Sequence, residues 1–170
     1  ILRNEQKKFL KNLSQITDIN TGTLKTIRRL SMQISARNQI SGTVELIEHG
    51  KINAEIFIKL KSGYTLVSVI TNTAANNLNL EIGDEVVAIF KSSTVLITTD
   101  ITLNISARNK FQGTVDSINQ DEINTELVID IGNNDKIASV ITSSSFERLK
   151  IEKGTQVSAI IKASDVIIGK

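Results

Sequence analysis

Ile34-Ser35-Ala36-Arg37-Asn38 returns as Ile105-Ser106-Ala107-Arg108-Asn109, and the offset of 71 residues holds without a gap from Ile34–Ile97 to Ile105–Ile168. Position by position, the two stretches agree at 27 of 64 places. Unrelated chains of ordinary composition agree at roughly one in fifteen. The chain is therefore built around a duplicated module, and each copy serves as a control for the other. A polar residue kept in both copies belongs to the module, whereas one present in a single copy is surface drift.

Within each copy the periodicity is that of strands. Ile56, Ile58 and Leu60 alternate with Glu55, Phe57 and Lys59, and the second copy repeats the pattern as Leu127, Ile129 and Ile131 against Glu126, Val128 and Asp130; period-two alternation describes a half-buried strand. Turn residues lie on both sides, at His49-Gly50-Lys51 and Lys61-Ser62-Gly63, matched by Gln120-Asp121-Glu122 and Gly132-Asn133-Asn134, which points to hairpins. Leu66–Thr71 and Ile137–Thr142 read as further strands. Thr73–Leu80 and Ser144–Ile151 follow as one or two helical turns, the second opening on a Ser144/Glu147 capping-box pattern and each ending at Gly83 or Gly154. Val86–Phe90 and Thr94–Ile97, with Val157–Ile161 and Asp165–Ile168, complete the copies. Five short strands and one short helix in each predict an all-β chain of two tandem OB-like five-stranded barrels.

Composition narrows the class. The chain has 170 residues, 40% of them hydrophobic, a formal charge of +2 and no cysteine, which excludes disulfides, thiolate metal sites and cysteine nucleophiles. Its longest unbroken apolar run is Val86–Phe90, well short of the ~18 residues a membrane helix needs. No secretory leader opens it, so a cytoplasmic protein without membrane partners is expected. Residues 1–30 carry Arg3, Lys7, Lys8, Lys11, Lys25, Arg28 and Arg29 against Glu5 and Asp18, a balance of +5, and the remainder carries −3. The duplicated region thus has no overall field to gather nucleic acid. Ile1, Leu2, Phe9, Leu10, Leu13 and Ile16 fit one face of a helix, broken at Asn20-Thr21-Gly22. The start at Ile1 reads as a truncated chain. The expected domains are a helical linker over 1–30, a first module over 31–99 and a second over 100–170.

Of the 13 Lys and Arg after position 30, two pairs alone recur at the offset: Arg37 with Arg108 and Lys91 with Lys162. They lie in Ser35-Ala36-Arg37-Asn38 and Lys91-Ser92-Ser93, matched by Ser106-Ala107-Arg108-Asn109 and Lys162-Ala163-Ser164. Thr71 and Thr142, also shared, sit just before the short helices. A guanidinium, an ammonium, hydroxyls and open amides make a donor-only set, which suits a small oxyanion that presents acceptors alone. The ordinary reading of an Arg or Lys shared by two repeats is a surface ion pair, and both readings stay open on charge placement.

Ile34-Ser35-Ala36-Arg37-Asn38-Gln39 followed by Gly42-Thr43-Val44, with the later Leu80-x-x-Gly83-x-x-Val86-x-Ala88-x-x-Lys91-x-Ser93-x-Val95-x-Ile97, resembles the Mop (TOBE-related) module of molybdate-binding proteins. Two modules after a helical linker resemble the effector region of molybdate-dependent regulators of the ModE type. The resemblance implies a homodimer with strands exchanged between subunits and molybdate or tungstate held at the subunit boundaries. It implies oxyanion-binding roles for Ser35, Arg37, Thr71, Lys91 and Ser92 and for Ser106, Arg108, Thr142, Lys162 and Ala163. It also implies DNA contact solely through a helix-turn-helix domain that this chain lacks, Ile1–Ile16 being the end of that domain's last helix. A storage protein and the accessory domain of a transporter ATPase are the alternatives within the same chemistry.

The remaining constellations are ordinary. His49, the one histidine, faces Gln120 in the other copy and reads as a solvated turn residue. Glu55 and Glu126 are shared on an outward strand face, where a cross-strand ion pair is expected. No recurrent carboxylate pair, nucleophile–base pair or metal-ligand cluster suggests an enzyme. A nucleic-acid-binding barrel needs a basic groove with stacking aromatics, and Phe57, Tyr64, Phe90, Phe111 and Phe146 never coincide between copies.

Overall fold

The structure, a computed structural model, describes residues 34–170; the helix and linker expected over residues 1–30 lie outside the described residues. Each copy contributes five strands in the same order. The first has β1 (Asn38–His49), β2 (Asn53–Leu60), β3 (Thr65–Thr71), helix α1 (Asn72–Asn77), β4 (Glu85–Phe90), a 3-10 turn (Ser92–Thr94) and β5 (Leu96–Thr98). The second has β6 (Asn109–Gln120), β7 (Asn124–Gly132), β8 (Asp135–Thr142), helix α2 (Ser143–Leu149), β9 (Gln156–Ile161), a 3-10 turn (Ala163–Asp165) and β10 (Ile167–Gly169).

The long first strand of each copy makes the sheet curl. The first half of β1 pairs with β4, from Asn38↔Phe90 to Thr43↔Glu85, and its second half pairs with β2, from Gly42↔Leu60 to His49↔Ala54. Gly42 lies where the two ladders overlap. A Cβ there would stand 2.5 Å from Ile58 Cγ2 and 2.6 Å from the Lys59 carbonyl, so this position admits glycine alone without moving β2. Gly113 in β6 is under the same constraint, 2.5 Å from the Asp130 carbonyl. A bulge between Val44 and Leu46, repeated between Val115 and Ser117, adds further bend. The result is two barrel-like five-stranded sheets, as expected of tandem OB-like modules.

The sheets do not follow the sequence limits of the copies. Their strand orders are β10-β4-β1-β2-β3 and β5-β9-β6-β7-β8. The last strand of each copy therefore completes the other's sheet: β10 pairs with β4 through Ile167↔Ile89, and β5 with β9 through Leu96↔Ile160. The exchange that the resemblance placed between subunits is present here between the two modules of one chain. A single apolar interior runs through both, including Val44, Ile56, Ile58, Leu66 and Phe90 with Phe111, Leu127, Ile129, Ile137 and Ile161. Each such side chain fully buried stabilises the fold by about 1.5–3 kcal/mol.

Polar contacts hold the modules together in symmetric pairs. Asn38 Nδ2 donates to the Ala138 carbonyl at 2.8 Å while its Oδ1 accepts from the Ala138 amide at 2.7 Å; Asn109 does the same with Val67, at 2.8 and 2.7 Å. The buried Ser68 hydroxyl donates to the Val166 carbonyl at 2.7 Å and Ser139 to Val95 at 2.8 Å. Each pair repeats at the offset of the sequence. The side-chain amide gives β3 and β8, the outer strands of their sheets, the hydrogen bonds that a neighbouring strand would otherwise supply.

Candidate functional site

The register of β1 and β4 decides how the shared cations are placed. Asn38 faces Phe90, so the next residues outward, Arg37 and Lys91, leave the same end of the sheet side by side. Asn109↔Ile161 does the same for Arg108 and Lys162. Ser92 and Ala163 open the 3-10 turns just after these lysines. Arg37, Lys91, Arg108 and Lys162 are exposed, as are Ser35 and Ser106, whereas Ser92 is half-buried and Ala163 buried.

The guanidiniums have partners. Arg37 Nη2 donates to Glu126 Oε1 at 2.5 Å and Arg108 Nη2 to Glu55 Oε2 at 2.9 Å. The recurrent arginines and Glu55 and Glu126 thus close two ion pairs between modules, and the cross-strand partner expected for Glu55 and Glu126 is instead an arginine of the other copy. With the arginine side chains 60% and 52% exposed, these pairs contribute little to stability. Arg108 also lies 5.8 Å from the centre of the Phe57 ring; Val128 occupies that place in the other copy, so Arg37 has no ring beneath it. Each guanidinium carries five N–H donors, which leaves most of them available. No hydrogen bond or ion pair engages Lys91 Nζ or Lys162 Nζ among the described residues.

Thr71 and Thr142 stand elsewhere in their modules. Asn53↔Thr71 and His49↔Ala54 place Thr71 beside the far end of β1, twelve residues from Arg37. Within one chain, Arg37 and Thr71 of the same copy are therefore not neighbours. The strand that receives Arg37, β7, pairs with the strand that ends at Thr142, β8: Glu126, the partner of Arg37, faces Val140, and Thr142 lies two residues further, about 7 Å along. The cation pair of each module thus points toward the threonine of the other.

Each threonine hydroxyl caps a helix. Thr71 Oγ1 accepts from the Ala74 amide at 3.1 Å and Thr142 Oγ1 from Ser145 at 3.2 Å. The capping residue of α2 is accordingly Thr142 and not Ser144, because the helix begins two residues earlier than the capping-box pattern suggested. The glycines expected to end these segments do not: the helices stop at Asn77 and Leu149 with Leu78 and Lys150 as their C-caps, and Gly83 and Gly154, at φ +96° and +91°, lie in the turns that follow. His49 closes β1, exposed, with Nδ1 3.0 Å from Asn72 Oδ1. No group of three or more His, Cys, Asp or Glu among the described residues is placed to hold a metal ion. Reading by charge missed Ser68 and Ser139, although both are identical between copies inside a strand, which was the available signal.

The profile of the TOBE domain matches residues 34–97 and again 105–168. The chain belongs to the TOBE domain family. The chain is similar to the molybdenum transport protein ModE of Azotobacter vinelandii, 34% identical over 172 residues, an alignment covering 98% of this chain and 64% of that protein. The molybdenum-pterin-binding protein MopA of Rhodobacter capsulatus is 36% identical over 146 residues, covering 85% of this chain and 55% of its own. The chain spans between about half and two thirds of the length of these curated relatives. A solved structure of the cytoplasmic molybdate-binding protein ModG, with molybdate bound, superposes with a TM-score of 0.78 at 40% identity, over 81% of this chain and 99% of that one. No helix among the described residues is long and apolar enough to cross a membrane.

Proposed function

We propose that this chain is the molybdate- or tungstate-sensing effector region of a transcriptional regulator, a cytoplasmic binding module and not an enzyme. The observation that carries the reading is the pair of ammoniums, Lys91 and Lys162, that engage no partner among the described residues, each set beside an arginine at the mouth of its sheet. A tetrahedral dianion takes hydrogen bonds from Lys Nζ, from the free guanidinium N–H groups and from hydroxyls, each charge-assisted bond contributing about 1.5–3 kcal/mol. Ser35, Arg37, Thr71, Lys91 and Ser92, with Ser106, Arg108, Thr142, Lys162 and Ala163, form the donor set. Ala163 contributes its backbone, since it stands where Ser92 stands in the first copy. In one chain the charged donors are exposed, so enclosing an ion calls for a second copy, and we assign the ligand to the boundary of a homodimer.

The regulator reading over the storage or transporter-accessory one rests on extent. The alignment with the Azotobacter ModE takes in 98% of this chain, which includes residues ahead of the first module; the ModG structure covers 81%. We read residues 1–30 as the linker from an upstream DNA-binding helix-turn-helix domain, 31–99 as the first module and 100–170 as the second. The ModG structure, matched over 99% of its own chain, favours the storage reading and keeps it as the alternative.

Thermal melting with molybdate, tungstate, sulfate and no added anion, at matched ionic strength, tests the binding. Ligand at about 100 times its dissociation constant adds about 2.7 kcal/mol per site and raises the midpoint by about 5 °C or more. The shift is expected with molybdate and tungstate, to vanish in Arg37→Ala/Arg108→Ala and to grow in Glu55→Gln/Glu126→Gln, where the guanidinium is released from its carboxylate. Equal shifts with sulfate, or none with any anion, would remove the reading and leave the shared cations as ion-pair partners.

A further inference from the structure

The repeat isolates one pair of apolar residues that the fold leaves in the open. Ile52 and Ile123 hold the same position in the two copies, at the tips between β1 and β2 and between β6 and β7, and are 74% and 73% exposed. They are the most exposed large apolar side chains among the described residues. Neither packs in the core, and their backbone duty could be met by any residue: the Ile52 carbonyl accepts from the Asn72 amide and Ile123 from Ser143, both at 2.9 Å. Those bonds seat each tip beside Thr71 or Thr142. An isoleucine retained twice at an exposed tip, while the three residues before it diverge, needs a reason outside the single chain.

The neighbours diverge in charge. The first tip reads His49-Gly50-Lys51-Ile52-Asn53 and the second Gln120-Asp121-Glu122-Ile123-Asn124. Lys51 and Glu122 are exposed, and neither makes an ion pair among the described residues. One tip is therefore basic and the other acidic around the same Ile-Asn.

We propose that the two tips are complementary halves of a contact between two copies of this chain, with Ile52 of one copy packed against Ile123 of the other and Lys51 facing Glu122. Pairing like tips would set Lys51 against Lys51, or Asp121 and Glu122 against themselves, so charge selects the mixed contact. In a two-fold pair both mixed contacts form together, because whatever one copy offers the other receives. The tips anchor a wider interface, since a specific one buries about 1,200 Å² or more in total. Because each tip flanks a threonine of the donor set, the contact carries the second copy over that site, and in this respect alone it rests on the oxyanion reading.

Sedimentation equilibrium on the 170-residue chain, with and without molybdate, tests it. Ile52→Asp and Ile123→Asp should each weaken self-association by about thirtyfold or more. Lys51→Glu should weaken it by about tenfold, and Lys51→Glu combined with Glu122→Lys should restore it. At dilutions where the parent is monomeric, all four variants should melt like it, since the altered side chains are then exposed. A parent that stays monomeric in both conditions overturns the proposal, and so do variants that associate as the parent does. Loss of association in the variants, in a protein whose melting no oxyanion shifts, would support the contact and remove the sensor reading.

Discussion

Replacing Asn109 with alanine isolates the polar tie between the modules. The side chain is 1% exposed, and its amide group holds both backbone groups of Val67, itself 6% exposed. Truncation leaves a buried N–H and a buried C=O without partners, and each unsatisfied group costs about 1–3 kcal/mol. The expected loss is about 3 kcal/mol, or about 6–12 °C of melting midpoint for a chain of this size. Asn38→Ala removes the symmetric pair, but there the bonds to Ala138 are partly buried and water can replace them. Its expected cost is about 1–2 kcal/mol. Urea unfolding followed by far-ultraviolet circular dichroism is the assay, since the chain has no tryptophan and one tyrosine. The unfolding slope should stay constant while its midpoint falls. Asn109→Ala within about 0.5 kcal/mol of the parent, or Asn38→Ala costing the more of the two, would refute the reasoning.

Two further outcomes follow from the same contacts. Gly113→Ala and Gly42→Ala should each destabilise by about 1–3 kcal/mol in the urea assay, because the new Cβ meets a backbone carbonyl that cannot turn aside; Gly63→Ala, with nothing within 4 Å but a φ of +91°, should cost about 1 kcal/mol. Asp121 accepts from the Asn124 and Ile123 amides, which hold its carboxyl below the usual range. A depressed carboxyl contributes stability above its unfolded value near 3.9 and loses it as pH falls through the lower folded value. Melting at pH 7 and pH 3 should therefore show Asp121→Asn below the parent at pH 7, with the gap narrowing at pH 3.

The strands at Ile56–Leu60 and Leu127–Ile131 were legible because one face is buried and the other is not, and the structure keeps that alternation. The twelve-residue β1 was not, since its bulge near Glu45 shifts the phase of the side chains midway and hides the period. Nor could the exchange of β5 and β10 be read. The pattern that makes Leu96 a strand residue is the same whether the strand closes its own sheet or its neighbour's. Recurrence did pick out Arg37, Arg108, Glu55 and Glu126, but it cannot say that they pair across copies, because the offset relates equivalent positions and a contact relates different ones. Ser68 and Ser139 were passed over for a related reason: a buried hydroxyl carries no charge to draw notice, and its role appears when the chain that supplies the acceptor is in place.

The cross-copy contacts explain why the module is duplicated within one chain. Asn38, Ser68 and Arg37 all spend their side chains on the second copy, and Asn109, Ser139 and Arg108 on the first. A solitary copy would keep these donors but lose their acceptors, and its sheet would lack the outer strand that the other supplies. Half of this structure is therefore not half as stable; it is a fold with a missing strand and buried groups left open. Joining the copies by residues 99–108 makes the association intramolecular, so the exchanged strands meet at a local concentration set by the linker and not by the cell. Lys110 fixes that linker by donating to the Ile101 and Leu103 carbonyls. Duplication also frees the copies to diverge where symmetry is not needed. Phe57 came to lie beneath Arg108 while Val128 left Arg37 bare, and the tips took opposite charges, so two copies of one origin present different surfaces within a single chain.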